Sequence, residues 1–495
     1  MEKTHRHGQP ALTIALENHA AKSNGVQEMM NSRNSRFSPR ISNWAGQFSC
    51  RPRCIHRASN RTEVQVALEK ATAAGSRLRV LGAGRSPSDI AMSDQDLLII
   101  DGMNKVIAIN AASGRVLVEA GARLCDITEA VAPHGLAFPV LGSISEQSIA
   151  GAIATATHGT GIGVGCLSSL VEEIEMVTPD GEIMRLSAAR DADIFNAVRC
   201  GLGTIGVITK LTLKLVPAFD LEVSEQESSL DTILSQLPER LKFDHYRFWY
   251  LPHADRAWEW RATRTQPSPG QHPPPRSLIA WLRNRLLGVH VYEAMLYLCS
   301  FVPALLPVIN RYYCHTFLRI PRLSRNRSDR QFNFDCLFKQ HVNEWAIPVE
   351  RTAEALRGLR ALIADRGFRV HLPIEVRFVK GDDIWLSPSY GRDSCYIGVI
   401  AYIPFGRKTT NHEAYFEAFE ALMADLDGRP HWAKRFGPDA TWLSQRYPRW
   451  ADFQKIRRQL DPDARLTNSY TDRVLGPVTF DTSNGAERPC QSMSQ

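Results

Sequence analysis

The stretch Val80-Leu81-Gly82-Ala83-Gly84-Arg85-Ser86-Pro87-Ser88-Asp89 constrains the chain more than any other. Arg77-Leu78-Arg79-Val80-Leu81 reads as a short strand that ends in two glycines. With no Cβ at Gly82 and Gly84, the backbone can turn sharply and press its amides against a ligand. Successive amides in such a turn form a concave anion site. The hydroxyls of Ser86 and Ser88 and the Arg85 guanidinium suit a pyrophosphate. An ordinary Gly/Ser/Pro turn would use the same residues, so its surroundings decide. A dinucleotide fingerprint is excluded, because Pro87 stands where the third glycine belongs and blocks a helix opening on the phosphate. Gly201, Gly203 and Gly206 do have the G-x-G-x-x-G spacing, but a helix-like run precedes them and a strand-like run follows. The fingerprint needs the opposite order.

The 495 residues are enough for several domains with a substantial core. The net charge of +7 is not carried by basic blocks interleaved with aromatics, so nucleic acid is not expected as a partner. An anionic cofactor or membrane surface accounts for the excess equally well. The ten cysteines are scattered, and Cys50 and Cys54 lack a His or Cys partner at metal-ligand spacing, so reduced thiols and no metal are expected. Residues 1–40 read as a disordered arm without the apolar core of a secretory signal, and 479–495 as a flexible tail. The expected location is the cytoplasm or the cytoplasmic face of a membrane.

A helix is predicted from a capping box of Thr62 and Gln65, with Val64, Ala67, Leu68 and Ala71 on one face and Gly75 as its stop. Strands are predicted at Leu97–Asp101 and Arg115–Gly121, a helix at Arg123–Val131, and a hairpin around Pro179-Asp180-Gly181. Short strands and helices joined by glycine turns indicate α+β. The segment from Leu141 to Gly161 is dominated by small residues, among them Ser143, Ser148, Gly151, Ala152, Ala154 and Ala156, and closes with Thr157-His158-Gly159-Thr160-Gly161. That composition suits a large flat object lying on the backbone, or a small-residue helix packed tightly on a sheet.

The order of these motifs, with Gly203-Thr204-Ile205-Gly206 after them, resembles the FAD domain of the vanillyl-alcohol oxidase superfamily (PCMH type). Within it the chain resembles the aldonolactone oxidoreductases, over about Trp44 to Pro477. The resemblance implies a two-subdomain FAD-binding domain at 41–218 and an α+β substrate, or cap, domain at 219–478. It implies that Gly82, Ala83, Gly84, Arg85, Ser86, Pro87 and Ser88 hold the pyrophosphate. Ser143, Ser148, Gly151, Thr157, His158, Gly159, Thr160 and Gly161 would flank the flavin, with Gly206 and Ile208 near the adenine. The family's oxidases carry a flavin-linking histidine where Arg85 stands, so non-covalent FAD is expected.

In the second half, His245–His253 reads as a strand of the cap domain. The stretch 278–318 is unusually apolar. It contains His290, Glu293, Pro303 and Pro307 and is flanked by arginines, so an interfacial membrane anchor is expected rather than a span, with a buried helical hairpin as the alternative. Glu375 and Arg377 lie two apart on an alternating strand, and period two puts both on one face. By themselves they could be a structural ion pair. His431-Trp432-Ala433-Lys434 matches the family's C-terminal tetrapeptide. With the resemblance, Glu375, Arg377, Lys434 and His431 are the expected catalytic set. The expected reaction is oxidation of a sugar 1,4-lactone at the carbinol next to the carbonyl, with electrons passing to oxygen or to a cytochrome or quinone. An alditol oxidase of the same superfamily and a non-catalytic flavin-binding membrane protein are the alternatives.

Overall fold

The computed structural model describes residues 39–267, 290–317, 320–334, 339–403, 405 and 412–478. Nearly all of the expected arm, the tail, and residues 278–289 and 318 of the apolar stretch lie outside them. The architecture is α+β. A small parallel sheet comes first, with Asp96–Ile99 between Cys54–Arg57 and Leu78–Leu81. The helix Arg61–Ala73 covers it with Val64, Ala67, Leu68 and Ala71, as its pattern predicts. Its cap lies two residues earlier than Thr62. Asn60 accepts from the Glu63 amide at 3.0 Å, and Glu63 accepts from the Ser59 amide at 2.7 Å. The same N-cap logic applies at both places, and Asn60 wins because Glu63 can reach back over it.

The second subdomain is a five-stranded antiparallel sheet in the order Ile183–Ser187, Val171–Val177, Val207–Lys214, Arg115–Glu119 and Val106–Asn110. The hairpin expected at Pro179-Asp180-Gly181 joins its first two strands, with Gly181 at φ +92°. The short helix Ile149–Ala154 is buried through Ile149, Ala150, Ala152 and Ile153. It shares one core with both sheets.

The second half of the chain, expected as the cap domain, is built on eight strands in the order Arg322–Arg327, Asp220–Ser228, Arg256–Thr265, His245–Leu251, Ile374–Val379, Ser394–Tyr402, Gln340–Pro348 and Arg429–Pro430. All of its pairs are antiparallel. Alternation sorts its side chains cleanly. Tyr246, Phe248, Ile374, Val376, Phe378, Ile397 and Val399 form one core with the helices Leu230–Ser235, Thr352–Asp365 and His412–Asp425. The intervening residues Arg247, Trp249, Glu375, Arg377, Tyr396 and Glu344 occupy the opposite face, which meets the first half of the chain at Ser143 and His158.

The described part of the apolar stretch forms the helices Tyr292–Phe301 and Leu306–Phe317. Leu296, Cys299, Leu306, Tyr313 and Cys314 are buried against Leu251, Trp258, Leu372 and Tyr402. Leu298, Phe301, Val302, Leu305, Val308 and Tyr312 are exposed. Among the described residues, no helix is long and apolar enough to cross a membrane. The chain then returns to its beginning. Phe453, Leu466, Tyr470 and Val474 join the first domain's core, and Arg77 Nη1 meets Asp472 at 2.5 Å.

Candidate active site

A cleft runs between the glycine turn, the helix Ile149–Ala154 and the segment leading into the strand Val207–Lys214. Gly82, Ala83, Gly84, Arg85, Ser86, Ser88, Ser148, Gly151, Gly206 and Ile208 all line it. Gly82 is required here, because a Cβ would lie 2.1 Å from Ser148 Oγ. That hydroxyl accepts from the Ala83 amide at 3.3 Å. Gly84 is left-handed, at φ +65°. Among the described residues, the amides of Gly84, Arg85 and Ser86 meet no protein acceptor. The buried Ser88 Oγ has no partner either. Unpaired donors around a turn with no side-chain bulk fit the pyrophosphate of a dinucleotide. Gly206 lets the backbone approach closely, since its Cβ would meet Met176 Sδ at 2.8 Å.

Ser143, Thr157, His158, Gly159, Thr160 and Gly161 lie outside the lining of this cleft, as does Pro87. Of these, Ser143, His158, Thr160 and Gly161 contact the cap sheet. The Gly161 amide donates to Phe378 O at 2.6 Å, and the Phe378 amide donates to Thr160 Oγ1 at 3.2 Å. The Thr160 hydroxyl itself donates to Tyr246 O. Arg377 Nη2 donates to Ser143 Oγ, and to Glu375 Oε1 at 2.6 Å. The segment 157–161 is thereby laid along the cap strand that carries Glu375 and Arg377.

On the cap face, Arg377 is almost fully buried, and its Nε has no hydrogen-bond partner among the described residues. Burial works against its charge, but Glu375 and Glu344 outweigh it and raise its pKa. Arg247, its cross-strand neighbour, stacks on Trp249, Trp260 and Phe334. Burial first and Arg377 second push Arg247 down to about 9.

A second charged pair stands across the sheet. Lys434 Nζ lies 3.3 Å from Glu344 Oε2, and His158 Nε2 lies 3.5 Å from Glu344 Oε1. The His431 amide donates to Glu344 O at 2.9 Å, and His431 Nδ1 accepts from the Ala433 amide at 3.1 Å. Burial alone would raise the Glu344 pKa; the Lys434 ammonium and His158 instead hold it well below the usual carboxylate range. Burial drives His431 down to about 3, so its ring is neutral. His158, Glu344 and His431 have ligand atoms close enough to hold a metal ion. Here the Lys434 ammonium supplies the positive charge that the carboxylate needs.

Residues 211–474 match the D-arabinono-1,4-lactone oxidase family, and residues 52–187 match the FAD binding domain. L-gulonolactone oxidase of Scyliorhinus torazame is 35% identical over 435 residues, covering 88% of this chain and 97% of that protein. The chain belongs to the aldonolactone oxidase family. L-gulono-1,4-lactone dehydrogenase of Mycobacterium tuberculosis is 36% identical and covers 89% of this chain and all of that protein. A solvent-stable cholesterol oxidase shares the fold at TM-score 0.69 and 15% identity, covering 88% of this chain and 97% of that one. The cofactor of this aldonolactone oxidase family member is FAD, and the unpaired donors at 84–88 fit it.

Glu344, like Arg247, is absent from the expected site residues. Its strand, Gln340–Pro348, carries Asn343-Glu344-Trp345 among buried residues. An acidic residue inside an otherwise buried strand was the only local signal.

Proposed function

We propose that the chain oxidises a sugar-derived 1,4-lactone, of the D-arabinono, L-gulono or L-galactono type, at the carbinol beside the carbonyl. The observation that carries this reading is the Glu375–Arg377 pair on the seam-facing side of the cap sheet, with Arg377 buried and tied to Ser143 of the FAD-binding half. FAD, when bound, supplies the acceptor for the hydride that leaves the substrate carbon. Glu375 orients the reacting hydroxyl and takes its proton. Arg377 stabilises negative charge on the lactone oxygens. Lys434 donates to the ring substituents, and the neutral His431 braces the loop that carries it. Arg85 holds FAD without a covalent link, because a guanidinium forms ion pairs and hydrogen bonds with phosphate rather than a bond to the flavin. The exposed apolar row of Leu298, Phe301, Leu305 and Val308 supports attachment to a membrane surface, with the catalytic domains on its cytoplasmic side or in the cytoplasm.

The test is anaerobic flavin bleaching with a panel of 1,4-lactones. Glu375→Gln and Arg377→Ala should keep their FAD and reduce it roughly 100- to 10,000-fold more slowly. A normal single-turnover rate in either variant, corrected for FAD content, would remove that residue from the mechanism.

A further inference from the structure

Glycine inside a strand weakens it, because it packs nothing and gives up the most backbone freedom on folding. Gly159 and Gly161, both buried, have a local reason. A Cβ on Gly159 would meet Leu141 O at 2.3 Å, and one on Gly161 would meet Asp244 O at 2.7 Å. Gly398 has no such reason. It lies within the strand Ser394–Tyr402, and its φ is outside the left-handed region. The nearest atoms to an added Cβ would be Glu344 Cγ at 3.7 Å, Glu344 Cδ at 3.8 Å and the Glu375 carbonyl oxygen at 3.8 Å. These are ordinary contacts, so the fold would accept a methyl group there.

What the missing side chain leaves is a gap in a charged row. Trp249, Glu375, Gly398 and Glu344 are successive cross-strand partners. Directly paired residues share a face, so Glu375 and Glu344 are anchored on either side of Gly398, with their backbones about 9–10 Å apart across two strand spacings. Each has its own cation, Arg377 at 2.6 Å and Lys434 at 3.3 Å. Gly398 is buried, on the sheet face that carries Glu375 and Glu344 and that is turned towards Ser143 and His158. A floor without a side chain, walled on both sides by hydrogen-bonding charges, fits a small ring with hydroxyls on both edges.

We propose that Gly398 sets substrate specificity. Its bare backbone forms the floor of a subsite, walled by Glu375–Arg377 and Glu344–Lys434, that takes the hydroxylated body of the substrate beyond the reacting carbinol. This rests on the lactone reading above, and it adds Glu344 as the wall facing Glu375.

The test compares full-length, FAD-loaded wild type with Gly398→Ala and Gly398→Val. Calorimetry follows binding of 2-deoxy-L-gulono-1,4-lactone, which lacks the hydroxyl to be oxidised. Anaerobic flavin reduction follows L-gulono-1,4-lactone and α-hydroxy-γ-butyrolactone, which keeps the reacting group without the hydroxylated body. Gly398→Ala should keep its FAD content and melting temperature while affinity for the gulono compounds falls roughly 10-fold or more. Gly398→Val should lose more, and the bare hydroxylactone should suffer less than either gulono compound. Unchanged affinity in Gly398→Ala would overturn the proposal, as would equal losses for both lactones or a collapse of FAD content. If no 1,4-lactone bleaches the wild-type flavin, the lactone reading falls instead. The same variants titrated with xylitol then decide on Gly398, since the row would serve any polyol.

Discussion

His431 and His245 are buried imidazoles, and burial lowers them to about 3 and about 4 respectively. In the unfolded chain each titrates near about 6.5. Between those values the unfolded state binds protons that the folded state refuses, so stability is fully present above about 6.5 and is lost as the pH falls. Glu344 acts in the same direction, since its depressed pKa adds stability that is lost on acidification. The melting temperature should therefore fall steadily from pH 7 to pH 4. His431→Gln should flatten that slope, and an unchanged slope would show that His431 does not carry it. Arg85 makes a second residue-scale prediction. Acid precipitation should release all the FAD into the supernatant, and flavin fluorescence on the denatured band of a gel would contradict it. At this scale the glycine turn was legible because special backbone conformations demand special residues. Glu344 was not, because its meaning depends on His158 and Lys434, which lie far from it in sequence and meet it only through the seam and the cap sheet.

The apolar helical pair shows what pattern can and cannot reveal about an element. Its hydrophobicity was plain in the sequence, but the division into an inner and an outer face was not, because apolar residues lie on both. The structure gives each face a different prediction. Leu296 is fully buried against the cap sheet, so Leu296→Ala should cost about 2–5 kcal/mol in unfolding free energy. Leu298, Phe301 and Leu305 are 49%, 58% and 37% exposed, so replacing all three by serine should leave folding and FAD content intact. The same triple variant should no longer sediment with membranes if that face docks on lipid. Equal membrane binding by variant and wild type would remove the anchor reading. The strands, by contrast, were legible from alternation alone, since Ile374–Val379 puts Glu375 and Arg377 on one face and Val376 and Phe378 in the core. The cap of the first helix was misplaced by two residues because Ser59-Asn60 and Thr62 offer competing side-chain acceptors.

At the scale of the whole molecule, the seam decides whether the flavin cleft and the cap cluster work together. Gly161 sits at φ +147°, and a Cβ there would lie 2.7 Å from Asp244 O. Gly161→Val should therefore strain the seam by about 1–3 kcal/mol and slow flavin reduction more than it lowers FAD content. Equal effects on both would show that the seam only supports the cleft. The other long-range tie is Arg79. Its guanidinium is buried and donates to Ile90 O at 2.8 Å, Leu202 O at 2.6 Å and Leu466 O at 3.2 Å. Asn468 Nδ2 adds bonds to Ile90 O and Met92 O. These acceptors and donors come from both ends of the chain, and that sets an order in time. A ribosome makes the glycine turn early, yet the strand leading into it is buttressed only when the last helix emerges. Until then Arg79 is a buried charge lacking one of its acceptors, and the nascent domain is exposed to misassembly. FAD capture should then wait for the end of synthesis, and a chain broken off before Leu466 should be purified without flavin absorbance.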